Sequence, residues 1–449
     1  MKKIIIIIFF FPIFSIAQNL RGTVIKKTTN LPIEEVNVTM KQFYANTITD
    51  EKGKFYLKIT RKLQESDTLI FSHVGYTTKK ISFSELEKNN FFVFLDENTE
   101  ALNGVVITSS PNKQLKSKIA FTKLAPLKYA LFNFGSVLKS NKIYVIGGDA
   151  SFKTDAWKKV QYEKADPTMD DYLKELRFQF SSQSYKGNLL IYDIRTDQWE
   201  ISKLKFRKRA YHTLNEYNDK IYVLGGKRVS VNGVFEYLDD KIEVFDINNQ
   251  TIAIDNTNPH QAAGSASFTY NDNIIIMGGS VKMSDDGIKQ YSNKVHSYNI
   301  NSGYWYELAA MPTAKETNGI LIKNKIYLFG GFNGKPISTI ESFDIFNEKW
   351  KTEGNLFSGL SSPAIAVNDD LVYLFENGKM YTYDINQKEL KEYLINLPMK
   401  ASKLFFSDNK LYLLGGYIEN YYSTYPSSGF FSIDINEFND TKPNRTKFL

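Results

Sequence analysis

The sequence predicts an all-β protein in two parts: a small antiparallel β-sandwich, then a longer array of repeated β units. Two observations predict the array. An apolar strand ending in a glycine pair returns along the chain, as Lys142-Ile143-Tyr144-Val145-Ile146-Gly147-Gly148 and Lys220-Ile221-Tyr222-Val223-Leu224-Gly225-Gly226. It recurs as Ile274-Ile275-Ile276-Met277-Gly278-Gly279, Lys325-Ile326-Tyr327-Leu328-Phe329-Gly330-Gly331 and Lys410-Leu411-Tyr412-Leu413-Leu414-Gly415-Gly416. A recurring unit of this length sets the architecture before any local propensity does. The 28 Tyr and 33 Phe also fall largely in alternating runs, which favours strands over helices.

The chain opens as a targeting segment. Met1-Lys2-Lys3 is basic, Ile4 to Ile13 is apolar but for Pro12, and Ser15-Ile16-Ala17 offers small residues where a signal peptidase reads. Cleavage is expected after Ala17, leaving Gln18 first. A membrane anchor is the alternative, but the run falls short of the ~20 residues a span needs. The chain contains no Cys, which excludes disulfides, a lipid-modified Cys and thiolate metal ligation. Stability must then come from the size of the core. The formal charge of +7 becomes +5 without Lys2 and Lys3, and the cations are scattered, so a nucleic-acid partner is not expected. The expected organisation is a signal peptide over 1–17, a β-sandwich over 18–109, a linker over 110–115 and the repeat domain over 116–449. No transmembrane segment is expected in the mature chain.

In the sandwich, alternating strands run through Leu20–Ile25, Val36–Met40, Phe55–Ile59, Thr68–Phe71, Phe91–Leu95 and Val105–Ile107, divided by polar turns such as Asp50-Glu51-Lys52-Gly53. Three groups of residues then carry a family pattern: Gly22-x-Val24, Leu31-Pro32-Ile33-x-x-Val36-x-Val38 and Thr49-Asp50-x-x-Gly53-x-Phe55. Phe71-Ser72-x-x-Gly75-Tyr76 and Leu102-Asn103-x-Val105-Val106-Ile107-Thr108 extend it. This segment resembles the carboxypeptidase-regulatory-like domain, which also precedes the plug of many TonB-dependent outer-membrane receptors. The resemblance implies a spacer or docking module. No peptidase metal constellation accompanies it, and His73 is expected to be structural.

The glycine pairs are separated by 78, 53, 52 and 85 residues, counted from Gly148. The last gap holds a degenerate copy, Leu371-Val372-Tyr373-Leu374-Phe375-Glu376-Asn377, making six units. Each unit has a second landmark downstream. Tyr192-Asp193, Tyr298-Asn299 and Phe343-Asp344 are followed by Trp199, Trp305 and Trp350, while Phe245-Asp246, Tyr383-Asp384 and Ile433-Asp434 lack the Trp. Glycine pair, Tyr-Asp and Trp together resemble the kelch repeat, which implies a six-bladed β-propeller with four antiparallel strands per blade. The Asp caps a turn and the Trp fills space between blades. The last unit has no fourth strand of its own, because Asn436 to Leu449 is polar and carries Pro443. Ile119 to Pro126 resembles Tyr304 to Pro312, so a strand near 117–125 is expected to close the ring and remove its free edges.

Turns between the first and second strands are two residues long, as at Ser140-Asn141. The loops after the glycine pairs are long, and the longest, Asp149 to Lys186, contains a helix-like stretch at Pro167–Leu176. Binding is therefore expected on that face. Residues opening the inner strands are expected to rim the channel there: Arg209, His212, His260, Gln261, Lys315, Glu316, Asn318 and Lys400, with Ser361 and Ser362. Such a rim suits a polar or anionic ligand, although any propeller channel is polar enough to hold water. Aromatic residues in the same loops, Trp157, Tyr237, Tyr291, Tyr417, Tyr421, Tyr422 and Tyr425 with Phe235 and Phe332, are candidates for a protein or glycan partner.

Two kinds of kelch-type enzyme frame the catalytic question. Galactose-oxidase chemistry needs a Tyr–Cys cross-link, which this chain cannot make. Periplasmic sialic-acid mutarotases use channel acid and base groups, for which Glu316, Lys315 and Arg209 are the candidates. His212 and His260 lack a carboxylate at ligand spacing, so neither a metal nor another cofactor is expected. The sequence favours an exported, non-catalytic binding protein of the periplasm or outer-membrane region, or one secreted beyond it, with sugar isomerisation as the alternative.

Overall fold

The computed structural model describes residues 18–40, 45–59, 62–73, 76–97, 115–164, 166–178, 184–230, 235–283 and 289–449. The leader, the strand expected at Val105–Ile107 and most of the linker lie outside the described residues. The chain divides into two compact units, Met1–Ser110 and Pro111–Leu449.

The first unit is a sandwich of two sheets around Val24, Val36, Val38, Phe55, Leu69, Phe71 and Leu95, all buried. One sheet orders Lys54–Ile59, Gln18–Lys26 and Phe92–Leu95. The other orders Ala45–Ile48, Asn37–Met40, Thr68–Ser72 and Lys79–Ser82. It is not purely antiparallel: Gln18–Lys26 runs parallel to Phe92–Leu95, because a crossover carrying the helix Phe83–Lys88 brings the chain back in the same direction. The family pattern serves turn geometry. The Asp50 side chain accepts from Lys52 and Lys54 amides, Thr49 Oγ1 donates to Ile33, and Gly53 takes a left-handed φ of 68°. His73 packs edge-on against Tyr76.

The second unit is a six-bladed propeller. Its blades span 135–205, 210–255, 266–308, 319–360, 364–394 and 403–434, and the sixth is completed by Thr122–Lys123. The apolar second strand of each blade is buried on both faces between neighbouring blades, as in Ile143–Ile146 and Ile326–Phe329. That explains why the strands before the glycine pairs read as continuous apolar runs. Thr122 and Lys123 pair with Ser432 and Phe431. Two residues on, Ala125 accepts from Trp199 Nε1 at 2.8 Å and donates to Asp197 at 2.9 Å. Ala309 makes the corresponding bonds with Trp350 at 3.1 Å and Glu348 at 2.8 Å. The two similar segments thus perform one task at two seams. The Asp of each unit, or Asn299 in the third, accepts from amides of the following turn, as Asp193 does from Arg195, Asn299 from Ser302 and Asp384 from Asn386 and Gln387.

The tail beyond Asn436 is more than a polar extension. It forms the short helix Glu437–Asp440, and its strand Arg445–Phe448 adds a fifth strand to the fifth blade. There Asn444 and Arg445 satisfy the buried Glu392 carboxylate.

One hydrogen bond repeats at all six seams. The amide of the second glycine in each pair donates to a carbonyl at the entrance of the next blade: Gly148 to Arg209, Gly226 to Ala262, Gly279 to Lys315, Gly331 to Leu360 and Gly416 to Leu131, at 2.8–2.9 Å. The degenerate fifth unit keeps it, Asn377 donating to Met399 at 2.8 Å. The first glycine makes room for that carbonyl. At Gly330, φ is 67° and a Cβ would lie 2.6 Å from Leu360 O.

Side chains at the blade entrances close the same corners. Arg209 reaches Gly225 O, His260 reaches Gly278 O, Lys315 reaches Gly330 O and Ser402 reaches Gly415 O. The two cations are held by acids of the third strand, Arg209 by Glu243 at 2.7 Å and Lys315 by Glu341 at 2.6 Å. In the third blade the partner is a second imidazole. His260 Nε2 donates to Gly278 O, which leaves its Nδ1 to accept from His296 Nδ1 at 2.8 Å, so both rings are neutral. Burial pushes the His260 pKa down to about 4 and lowers that of His296. The unfolded chain therefore binds protons near pH 6.5 that the folded chain refuses until about pH 4. Urea unfolding between these pH values is expected to show stability falling as pH drops, by on the order of 2–3 kcal/mol from His260. The double substitution His260→Gln with His296→Gln should make that profile shallower, with the remaining slope due to the buried His212.

Candidate functional site

The inner strands surround a cavity of about 670 Å³ that opens among the long loops. Its mouth is set by backbone. Asn133, Tyr211, Gly264 and Ala401, all near inner-strand entrances, adopt left-handed φ of 48°, 62°, 69° and 50°. This conformation lets neighbouring blades bond in succession around the axis: Tyr211 N to Asn133 O, Gly264 N to Tyr211 O and Thr317 N to Gly264 O. A tyrosine at positive φ is strained and persists because these bonds hold it. The Tyr211 ring lies in the cavity wall with Lys227 Nζ 4.6 Å from its centroid, and its hydroxyl donates to Asp149, whose carboxyl pKa is raised by burial.

The expected rim residues separate into two groups. His212, Glu316, Asn318, Ser361 and Ser362 line the cavity. Arg209 and Lys315 do not: both are completely buried inside their blades. His260 is likewise inside its blade, Gln261 Nε2 bonds back to Asn258 O, and Lys400 pairs with Glu419, which itself faces the cavity. The physical reason is the blade corner: the chain enters each blade with one side chain turned inward to the first-glycine carbonyl, and only the following residues face the axis. Of the acid–base candidates, Glu316 alone reaches the cavity, where it accepts from Ser280 Oγ and Lys289 Nζ, each at 2.7 Å.

Several lining groups lack partners. His212 Nε2 lies 3.0 Å from Ile146 O and 3.2 Å from Gly135 N, while Nδ1 has no partner, and burial holds the ring neutral. Thr317 Oγ1 is buried and unpartnered. Lys403 has no ion pair among the described residues, and burial pushes its pKa down to about 8. Sequence reasoning missed Tyr211, Thr317 and Lys403. Lys403 was open to discovery by register: it pairs with Leu414, the residue before a glycine pair. The corresponding positions in other blades are Gly135, Thr213, Ala266 and Ala364.

The loop aromatics also divide. Tyr417 and Phe332 line the cavity, Tyr417 stacking edge-on with Phe132 and Tyr291 with Phe332. Phe235, Tyr237 and Tyr425 are exposed. Trp157 lies on a helix, Ala156–Glu163, within the long loop expected over Asp149–Lys186, and Asp155 caps it by accepting from Lys158 N. A second helix, Met169–Phe178, packs on the first through Trp157–Tyr172 and Lys159–Glu175 contacts. Tyr162, at the end of the first helix, lies 6.1 Å from Tyr421 and 5.6 Å from Tyr422 between ring centroids. Lys153–Thr154 pairs with Ser423–Thr424, so loops of the first and sixth blades form one ridge. On the second helix Met169, Leu173 and Leu176 are exposed at a spacing that places them on one face.

Among the described residues no three His, Asp or Glu side chains gather as metal ligands, and no helix is long and apolar enough to cross a membrane.

Comparison with known proteins agrees with this architecture. Residues 179–378 match the family model described as the KLHDC2/KLHL20/DRC7 Kelch-repeats domain, and residues 20–107 match the CarboxypepD_reg-like domain. Kelch-like protein 38 of Mus musculus is 25% identical over 260 residues, covering 55% of this chain and 42% of that protein. Kelch repeat and BTB domain-containing protein 2 of cowpox virus (strain Brighton Red) is 29% identical over 142 residues, covering 31% of this chain and 25% of that protein. The chain thus spans less than half the length of these relatives. The solved structure of YjhT superposes with a TM-score of 0.50 at 11% identity, covering 69% of this chain and 99% of that one, a likeness of fold. Sequence, topology and comparisons together identify a carboxypeptidase-regulatory-like domain followed by a six-bladed kelch-repeat β-propeller.

Proposed function

We propose that this chain is an exported, non-catalytic binding protein of the cell envelope, whose propeller holds a partner protein against the ridge shared by the first and sixth blades. The observation that carries the proposal is the side chains this ridge leaves in water. Tyr162 is 69% exposed, Met169 63%, Tyr421 62% and Leu173 49%, on helices and hairpins held to one another by ring contacts and backbone pairing. Rigid aromatic and apolar anchors of this kind, surrounded by Lys and Asp, are what protein-binding hot spots use. A kelch propeller suits such a role, since its blades form a stiff base for variable loops.

The acid–base alternative has less support. Arg209 and Lys315 are committed to blade corners, and Glu316 is neutralised by Lys289. Export is supported by the basic–apolar–small order of the first residues.

Two outcomes follow. Protein recovered from the native host should fractionate with the cell envelope and begin at Gln18 by N-terminal sequencing; cytoplasmic protein retaining Met1 would contradict export. A partner identified by cross-linking in envelope fractions and then purified should bind the full chain at least tenfold more weakly after Leu173→Asp with Tyr421→Ala, at unchanged Tm. Undiminished affinity rules out the ridge. A glycan-array signal lost in the same variant would assign the ridge to a glycan instead.

A further inference from the structure

We propose that Lys403 is a nucleophilic amine that captures an aromatic aldehyde in the propeller channel as a reversible imine. This site is separate from the ridge, and its test does not involve the partner protein proposed there.

Pairing register places the amine. Lys403 stands opposite Leu414, the last apolar residue before the sixth corner. The equivalent inner-strand residues Gly135, Thr213, Ala266 and Ala364 are short. They leave open the cavity of about 670 Å³ in whose wall the half-buried Lys403 lies.

The surroundings single this lysine out. Others in or beside the wall are tied to carboxylates: Lys289 to Glu316 at 2.7 Å, Lys400 to Glu419 at 2.6 Å and Lys315 to Glu341 at 2.6 Å. Glu376 is taken by the Ser361 and Ser362 amides, His212 is neutral, and Lys153 is exposed at the mouth. No carboxylate among the described residues holds Lys403. Its ammonium gives up hydration and gains no counter-charge, so burial favours the neutral base. The pKa falls from the ordinary 10.5 to about 8, which leaves about a tenth of the amine unprotonated at pH 7. A desolvated lysine is a ready nucleophile towards carbonyl carbon.

The step balances with water alone as co-product. The Nζ lone pair attacks the carbonyl carbon, an N–C bond forms as the C=O π bond opens, and the oxygen takes a proton from water while the nitrogen releases one. The carbinolamine then loses its hydroxyl as water, leaving a C=N bond. Nothing is oxidised or reduced. The unprotonated imine carries no charge, so it escapes the cost that the unpaired ammonium bears in this wall.

The wall also indicates the body of the aldehyde. Phe405 lies two residues beyond Lys403 on the strand Lys403–Ser407, so both side chains share one face, and both line the cavity. Tyr417 and Phe152 line it from neighbouring loops. All three rings keep exposed surface, Phe152 as much as 38%. Ring surfaces of this kind suit a flat aromatic body, held edge-on or offset.

The test uses the unaltered full chain with benzaldehyde and cyanoborohydride at pH 7, which fixes any imine as a benzylamine, followed by peptide mass spectrometry. Lys403 is expected to be benzylated at least tenfold faster than the exposed Lys442. The Lys403-to-Lys442 ratio should be larger with benzaldehyde than with butanal. Benzaldehyde without reductant should protect Lys403, and not Lys442, from trace acetylation by acetic anhydride. Labelling of Lys403 no faster than Lys442, an equal or larger ratio with butanal, or no protection overturns the proposal.

Discussion

Six backbone hydrogen bonds, one at each seam, hold the propeller in register. In every unit the second residue of the corner donates to a carbonyl at the entrance of the next blade. The geometry is demanding. The first residue must leave space for that carbonyl, and both turn through left-handed backbone, which glycine does at least cost. This explains why glycine pairs mark five units. The fifth unit, Glu376-Asn377, keeps the bond without a pair because its left-handed turn falls on Asn377 and Gly378, at φ of 48° and 79°, while the Glu376 carboxylate accepts from Ser361 and Ser362 amides at the channel mouth.

From these corners follow the uses of the buried polar side chains. Each corner leaves the first-residue carbonyl facing the blade interior, where it needs a donor. Arg209, Lys315, His260 and Ser402 are four answers to one requirement, and Glu243, Glu341 and His296 balance the first three. What remains for the axis is a wall of backbone, short side chains and the residues that follow each corner, Tyr211, His212 and Glu316 among them. In that wall Lys289 pairs with Glu316 and Glu419 with Lys400, while Lys403 is an inner cation with no ion pair among the described residues.

Much of this was legible in the sequence, because the repeat writes its own constraints. The glycine pairs, the Asp turns and the likeness of Ile119–Pro126 to Tyr304–Pro312 each correspond to a recurring contact in the structure. Direction within the sandwich was not legible, since alternation in Phe92–Leu95 is the same for parallel and antiparallel pairing. Neither was the tail strand, whose pairing depends on Glu392 some fifty residues earlier. The channel was read one step out of phase. Charged residues at strand entrances were assigned to the axis, but Arg209 and Lys315 turn into the blade and the neighbouring Tyr211 and Thr317 turn out of it. Pairing register rather than residue type would have found Lys403.

The seam bond is tested most directly by thermal unfolding of two alanine variants in the same blade. Gly330 and Gly334 both take positive φ, of 67° and 98°, so alanine strains the backbone at each. At Gly330 the new Cβ meets the seam carbonyl Leu360 O at 2.6 Å and Ile337 O at 2.7 Å, whereas nothing lies within 4 Å at Gly334. Gly330→Ala should lower stability by about 2 kcal/mol or more beyond Gly334→Ala. Equal losses in the two variants would contradict the account.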